Sequence, residues 1–584
     1  MKTNLSLALY AAVRKVKLAV PFYVLILASL MLHSCSKEYQ SMQKTPEKSS
    51  KSLVTTGTTS AIAGKNVMMQ GFYWDVPQGG TWWGNIQGKV SSWSTAGITS
   101  IWMPPCSKGA SGGFSVGYDP FDYFDFGDFN QMGTTETRYG SKAELQACIN
   151  AAHSAGLQVY ADIVMNHNGG GSAQSNPNTG TTTNTLFNVA SGIFPRGYND
   201  FHKSTFETAD AGVFSNYPDL CHKNPYVAGG LWANSNSVAK YYKGTLGFDG
   251  WRFDWVDGFS PSYVNQFVAA APGFAVTEYW GPSGGTNVGE LQTCINGSGA
   301  SSFDFPCVFG LKNAFVNNDL NLLNTTGMLC KSNPDKAVTF VTNHDINYIP
   351  DSKKLQAYAF IMAHEGTPCV FYSDYESLLD KAKMNSLIWI NKNLAAGTTT
   401  VLYSDNDEYI AKMSGSPGLI IYINNSGSTL TRSVTTNWAN STIHDYANNT
   451  AADVTTNASG VTTISAPANS YTIWSSNGTV TPPTGGGNVS ITLRMQKDVL
   501  NGNSLFFSGN NATLTNWAGG AQGTWTTNNF WTYTLSVPSG QALDFKVRKG
   551  TTGGTGNTWE SGTNHTIASP ANGTTYTVTF NGGF

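Results

Sequence analysis

A chain of 584 residues is longer than one hydrophobic core normally serves, so several domains are expected. Charged residues make up 12%, aromatic residues also 12%, and the formal net charge is −2. That balance excludes a disordered polyelectrolyte, and without Lys/Arg clusters beyond the N-terminus it excludes a nucleic-acid or acidic-lipid binder.

The chain opens with Lys2, Arg14, Lys15 and Lys17 ahead of an apolar run from Leu18 to Leu32. This is the pattern of an export signal. The run ends in Leu32-His33-Ser34-Cys35, which resembles the lipobox of bacterial lipoproteins. The resemblance implies a lipid anchor on Cys35 and a place in the cell envelope or on its surface, with simple secretion as the alternative. Residues 36–64, rich in Ser, Thr and Lys, read as a flexible tether. Beyond Cys35, the seven cysteines at 106, 148, 221, 294, 307, 330 and 369 are too scattered to form a disulfide framework.

From about Asn66, β-rich runs alternate with helical stretches. The strands are expected at Val67–Tyr73, Ile98–Met103, Gln158–Val164, Phe248–Asp254, Phe274–Glu278, Ser301–Phe305, Ala337–Thr342 and Thr367–Tyr372. One helix is read directly: Ser141-Lys142-Ala143-Glu144 is a capping box, Leu145, Cys148, Ile149 and Ala152 share a face, and Gly156 ends it. Eight strand–helix pairs predict a (β/α)8 barrel over 65–397, with its site at the C-terminal ends of the strands. The long connection at about 168–238 predicts a small inserted domain. Residues 398–476 read as an antiparallel β-domain, 477–487 as a Thr/Pro/Gly linker, and 488–584 as a β-sandwich module with an uneven share of Trp.

Several strand ends carry groups that a structural strand does not need. Alternation in Gly250-Trp251-Arg252-Phe253-Asp254 places Arg252 and Asp254 on one face. The guanidinium is expected to hold Asp254 ionised, as a nucleophile requires. Glu278 ends an apolar strand, where partial desolvation suits a general acid. Asp345, in Asn343-His344-Asp345, supplies a third carboxylate. Two carboxylates flanking a bond are the machinery of glycoside hydrolysis, separated by ~5 Å for retention and by more for inversion.

The ordered blocks Asp162-Ile163-Val164-Met165-Asn166-His167, Gly250-Trp251-Arg252-Phe253-Asp254, Glu278 and Asn343-His344-Asp345 resemble those of α-amylases in glycoside hydrolase family 13, closest in texture to the archaeal and plant-like branch. The resemblance implies a retaining, endo-acting hydrolase of starch, with Asp254 as nucleophile, Glu278 as acid/base and Asp345 as transition-state stabiliser. It implies sugar contacts from Arg252, His167 and His344, and a stacking platform from Tyr118. Trp82, Trp83 and Trp280 are candidates for sugar stacking or for core packing. Asp257 departs from the pattern, standing where many relatives carry a Lys that touches product-side sugars. Maltooligosaccharide-forming or transglycosylating relatives use the same three carboxylates, and a non-catalytic starch-binding surface protein is a further alternative.

The same resemblance implies a calcium ion held by Asn166, Asp210, the Gly212 carbonyl, Asp219 and the Gly258 carbonyl, tying insert to barrel. His202, Glu207, Cys221 and His222 gather softer ligands close by, where a second metal is chemically possible. Through Ser508-Gly509-Asn510, Leu514-Thr515-Asn516-Trp517, Asp544-Phe545-Lys546 and Trp559-Glu560-Ser561-Gly562-Thr563-Asn564-His565, residues 488–584 resemble a family 20 starch-binding module, which implies a platform of Trp517 and Trp559 assisted by Lys546 and Asn564. The expected partner is therefore α-glucan, bound by a chain that works as a monomer.

Overall fold

The computed structural model describes residues 65–584 except 210–211, 326, 477–487, 501, 511, 539–541, 555, 568–574 and 581–583. The expected signal, tether and Cys35, together with Asp210 and the linker, lie outside the described residues. Eight short strands build the centre: β1 Met68–Gln70, β2 Ser100–Trp102, β3 Gln158–Ile163, β4 Gly250–Phe253, β5 Phe274–Thr277, β6 Ser301–Phe303, β7 Ala337–Phe340 and β8 Thr367–Phe371. Each pairs in parallel with its sequence neighbours, and β8 closes on β1, giving the expected barrel. Every observed strand lies inside its expected run but is shorter. The trimmed ends matter, because β4 stops at Phe253 and β5 at Thr277, so Asp254 and Glu278 are each the first residue past the strand.

Register places the polar residues opposite one another. Asp162 on β3 pairs with Arg252 on β4, and Arg252 pairs with Val276 on β5. The backbone stays tied beyond the strands, with Asp254 N–H donating to the Ile163 carbonyl (3.0 Å) and Glu278 N–H to that of Phe253 (2.9 Å). The carboxyl-bearing residues are thus fixed by main-chain bonds before any side chain makes a contact.

The helix read from sequence spans Lys142–Ser154. The Ser141 side chain accepts from Glu144 N–H, the Glu144 carboxylate accepts from Ser141 N–H, and Leu145, Cys148, Ile149 and Ala152 are its buried residues. Gly156 follows at φ +78°, a left-handed turn that glycine makes without a Cβ penalty. Between β3 and β4 the chain forms a hairpin, Ser172–Asn176 with Thr181–Leu186, followed by short helical turns.

Beyond the barrel a six-stranded antiparallel sheet is centred on Leu419–Asn424, buried along its whole length between Glu408–Met413 and Ser470–Ser476. Its apolar residues Tyr409, Ala411, Leu419, Ile421, Ile423, Tyr471 and Ile473 belong to the same hydrophobic cluster as the barrel. Residues 488–584 form a four-stranded and a five-stranded sheet around a separate core that includes Leu493, Leu505, Phe507, Leu535, Phe545 and Val547.

His364 sits where barrel and β-domain join. It is fully buried, with Nδ1 on the Phe360 carbonyl and Nε2 on the Tyr409 hydroxyl (2.9 Å), and burial pushes its pKa down to about 3. A depressed histidine is neutral in the folded chain, so stability is full above the unfolded pKa of about 6.5 and falls as the unfolded chain takes up a proton below it. Between pH 6.5 and pH 5 the loss amounts to about 2 kcal/mol. Melting scans of His364→Gln are therefore expected to show a smaller fall in Tm from pH 7 to pH 5 than the parent; an equal fall would contradict the assignment.

Candidate active site

Arg252 organises the mouth of the barrel. Its guanidinium is buried, with Nη1 at 2.7 Å from Asp162 Oδ1 and 2.7 Å from Asp254 Oδ1, and Nη2 at 2.6 Å from Glu278 Oε2. Asp162 Oδ2 accepts from the Tyr118 hydroxyl (2.7 Å) and from Trp102 Nε1 (2.9 Å). Glu278 Oε2 also accepts from Trp255 N–H (3.1 Å), and Oε1 from Trp280 Nε1 (3.0 Å).

Asp345 follows β7 and carries the most exposed carboxyl of the group, at 41% of its side chain. His344 Nε2 lies 3.1 Å from Asp345 Oδ2, and His344 Nδ1 is 2.9 Å from Gln70 Nε2. The Gln70 amide donates to Nδ1, which leaves the imidazole proton on Nε2, facing Asp345. Burial, with Arg252 adding to it, holds His344 well below the usual histidine range, so the ring is neutral.

One guanidinium therefore bonds three carboxyls, with Asp345 a fourth acid at the same mouth. Burial pushes Asp254 well above the ordinary carboxylate range, opposed by Arg252 and reinforced by Glu278 and Asp162. The surrounding wall of the mouth, which desolvates Asp345 although two-fifths of its side chain is exposed, pushes it upward, with Glu278 adding. The sequence expectation that the Arg252 guanidinium favours ionised Asp254 is met by the ion pair, against which burial acts. Two residues' spacing predicts the ion pair, but the desolvation by the surrounding barrel that opposes it is invisible at that range. A site of this composition holds at least one proton among its acids, which acid–base chemistry requires.

Above the acids, Trp74, Tyr118 and His344 form a parallel aromatic wall. Tyr118 and His344 are 5.3 Å apart at 8°, and Trp74 lies 5.9 Å from Tyr118 at 1°. Trp74 is 45% exposed, so an indole face remains open. Such a face packs against the apolar C–H surface of a pyranose.

Three family models match this chain: the α-amylase catalytic domain over residues 75–270, the α-amylase C-terminal domain over 419–475 and a starch-binding domain over 488–579. An α-amylase of Geobacillus stearothermophilus is 32% identical over 406 residues, covering 57% of this chain and 71% of that one. The chain belongs to the α-amylase family. A glucan 1,4-alpha-maltotetraohydrolase of Roseateles saccharophilus is 26% identical over 566 residues, 88% of this chain and 93% of that enzyme. The crystal structure of an Anoxybacillus α-amylase shares the fold, with a TM-score of 0.55 at 17% identity over 72% of this chain and 99% of the other.

Asp254, Glu278, Arg252, Tyr118, His344 and Asp345 thus meet at one mouth of this α-amylase fold. His167 lies differently from the sugar-contacting place the resemblance implied. It is fully buried, with Nε2 on the Tyr118 carbonyl (2.9 Å) and its ring stacked on Phe214 (4.6 Å) and Tyr217 (5.4 Å), so it supports the Tyr118 loop from behind. Trp82 and Trp83 are buried core residues, whereas Trp280 is half-buried and engages Glu278. Sequence reasoning did not single out Trp74, Trp102 or Gln70, nor Asp162 as a site residue. The signal for Asp162 was available, since it is an acid on the inward-facing positions of a strand that is otherwise largely buried.

Four of the five residues expected to bind calcium converge; the fifth, Asp210, is undescribed. A Cβ on Gly212 would collide with the Gly258 carbonyl and lie 2.9 Å from Asp219 Oδ2, and a Cβ on Gly258 would collide with Asn166 Oδ1. Asn166 Oδ1 is buried with no hydrogen-bond donor among the described residues, while Asn166 Nδ2 donates to the Gly212 carbonyl (2.8 Å). An oxygen-only donor set with an orphaned amide oxygen fits a hard cation. Close by, His202, Glu207 and Cys221 bring one ligand atom each within 4.8 Å of one another. Lys223 already pairs with Glu207 (2.5 Å), and Ser204 donates to the Cys221 sulfur (3.0 Å). His222 turns away, with Nε2 on the Met165 carbonyl.

In the terminal module Trp517 and Trp559 stand 6.2 Å apart at 45°, with Trp559 37% exposed and backed by the Arg548 guanidinium at 4.3 Å. Lys546 Nζ donates to the Gly562 carbonyl (2.6 Å), which ties the loop bearing exposed Asn564 to the strand beneath.

Proposed function

We propose that this chain is an endo-acting, retaining α-amylase that hydrolyses internal α-1,4-glucosidic bonds of starch and related glucans. The observation that carries this is one buried guanidinium bonded to both Asp254 and Glu278, just past adjacent barrel strands. Asp254 attacks the anomeric carbon as the C1–O bond breaks, and Glu278 gives its proton to the departing glycosidic oxygen. In the second step Glu278 takes a proton from water as the water oxygen bonds to C1 and Asp254 departs. Asp345 and the neutral His344 hold hydroxyls of the distorted sugar, and Tyr118 and Trp74 stack on its face. NMR of products released from maltoheptaose is expected to show the α-anomer first, with mid-chain cleavage. β-Anomer first would refute retention, and dominant transfer to added glucose would favour the transglycosylating alternative.

Asn166, the Gly212 and Gly258 carbonyls and Asp219, with Asp210, would hold calcium. The ion's part is structural, as a positive charge joining insert to barrel beside β4. A second ion at His202, Glu207 and Cys221 would be a borderline metal such as zinc, and elemental analysis of the purified protein counts both. Trp517, Trp559, Lys546 and Asn564 would keep the enzyme on granular starch, raising local substrate concentration without altering the chemistry. Trp517→Ala together with Trp559→Ala is expected to lower hydrolysis of granular starch about 10-fold or more and to leave soluble starch unchanged. An equal loss on both would refute a purely tethering role. By the same reading the enzyme is exported, anchored through Cys35 and monomeric.

A further inference from the structure

We propose that Asp257 is a positioning residue for Glu278, acting through the segment that carries Trp280. This rests on the reading of Glu278 as acid/base. Asp257 lies in the short turn Val256–Gly258 that follows β4, just after Trp255, whose φ is +40°. Both its carboxylate oxygens are spent on the loop after β5: Oδ2 accepts from Trp280 N–H (2.8 Å) and Oδ1 from Gly281 N–H (2.6 Å). The Trp280 ring then packs on Phe305 (4.1 Å between centroids) and its Nε1 donates to Glu278 Oε1 (3.0 Å).

The loop is tied at its far side, where Ser283 N–H and hydroxyl donate to the Glu290 carboxylate (2.9 and 2.7 Å) and Gly284 N–H to the Gly281 carbonyl (3.0 Å), and Asp257 ties the end next to Glu278. Gly281, Gly284 and Gly285 all have positive φ, a region open to glycine but costly to other residues. Two adjacent N–H groups bonded to one carboxylate hold the end next to Glu278. Glu278 Oε2 is fixed by Arg252 and the Trp255 amide, so the Trp280 indole is what fixes Oε1 and with it the plane of the carboxyl group. Proton transfer to a leaving oxygen depends on that plane. At the position where relatives use Lys, this chain thus has a carboxylate whose two oxygens each accept from a backbone amide of the neighbouring loop.

The test separates positioning from general destabilisation through the leaving group. A sugar leaving group needs a proton from Glu278, whereas fluoride leaves without one, and azide attacks the glycosyl-enzyme without a general base. Asp257→Asn puts an NH2 against one of the two amides, and Trp280→Phe removes the indole donor while keeping an aromatic ring. Both variants are expected to lose kcat on maltoheptaose by about 10–100-fold with KM within about 3-fold. On α-maltotriosyl fluoride with azide both are expected to stay within about 3-fold of the parent. Equal losses on the two substrates, or a change confined to KM, overturn the proposal. Should Asp257→Asn fail to fold, Asp257→Ser carries the same comparison, and an unchanged substrate ratio there overturns the proposal. Glu278→Gln is run alongside: if it keeps full turnover the acid/base reading itself falls, whereas if it fails and Asp257→Asn shows equal losses, only the role of Asp257 falls.

Discussion

Asp254→Asn is expected to lower kcat/KM on soluble starch by about 10⁴-fold or more, the scale seen when a nucleophile is removed from a group of residues that act as a unit. The amide nitrogen and carbonyl that replace the carboxylate have no anionic oxygen with which to bond C1, so the first step loses its acceptor. Folding is expected to survive. Asparagine keeps an oxygen for Arg252, and Arg252 keeps Asp162 and Glu278 as counter-ions. The thermal transition should therefore stay at or above that of the parent. Configuration distinguishes loss of a nucleophile from loss of structure: in Asp254→Gly, added azide should enter from the vacated side and release the β-glycosyl azide from α-maltotriosyl fluoride. A variant that keeps a tenth of parental turnover, or azide product of α-configuration, would remove Asp254 from its role.

Glu278→Gln should lose about 10²–10⁴-fold on starch, the usual value of general acid–base assistance. Glutamine keeps the shape of the side chain and an oxygen for Arg252, but it has no proton to give. Activated substrates should suffer less, and azide should now capture the glycosyl-enzyme on Asp254 to yield the α-azide, opposite in configuration to the product of the Asp254 variant. The two anomers together assign the roles in a way that neither loss of rate could. Exchanged configurations would mean that the assignment is reversed, and identical azide products from both variants would mean that it is mistaken.

The barrel and the acids were legible in sequence for a shared reason. Strand runs such as Phe274–Glu278 are mostly apolar until the last position, and carboxyls ending several such runs converge at one end of a barrel. The capping box at Ser141 was equally legible, because its chemistry is complete within four residues. What escaped was set by contacts between distant segments. The Gln70–His344 bond spans 274 positions, and the stacking of Trp74 on Tyr118 depends on how two loops approach. His167 has the right motif and neighbours, yet its surroundings are decided by Phe214 and Tyr217 from the insert, which no local pattern predicts. Charge balance escaped too, since desolvation is a property of the assembled mouth and not of any strand.

The division of apolar clusters gives the chain two kinds of joint. Barrel and following sheet share one interior, sealed at His364 and Tyr409, so they behave as a single cooperative unit, and a chain cut after residue 397 would leave a wide greasy face in water. The starch-binding module is closed on its own interior, so it can be lost, gained or exchanged between enzymes at no cost to the catalytic body. Selection can therefore change where the enzyme settles on its substrate without reopening how it breaks the bond.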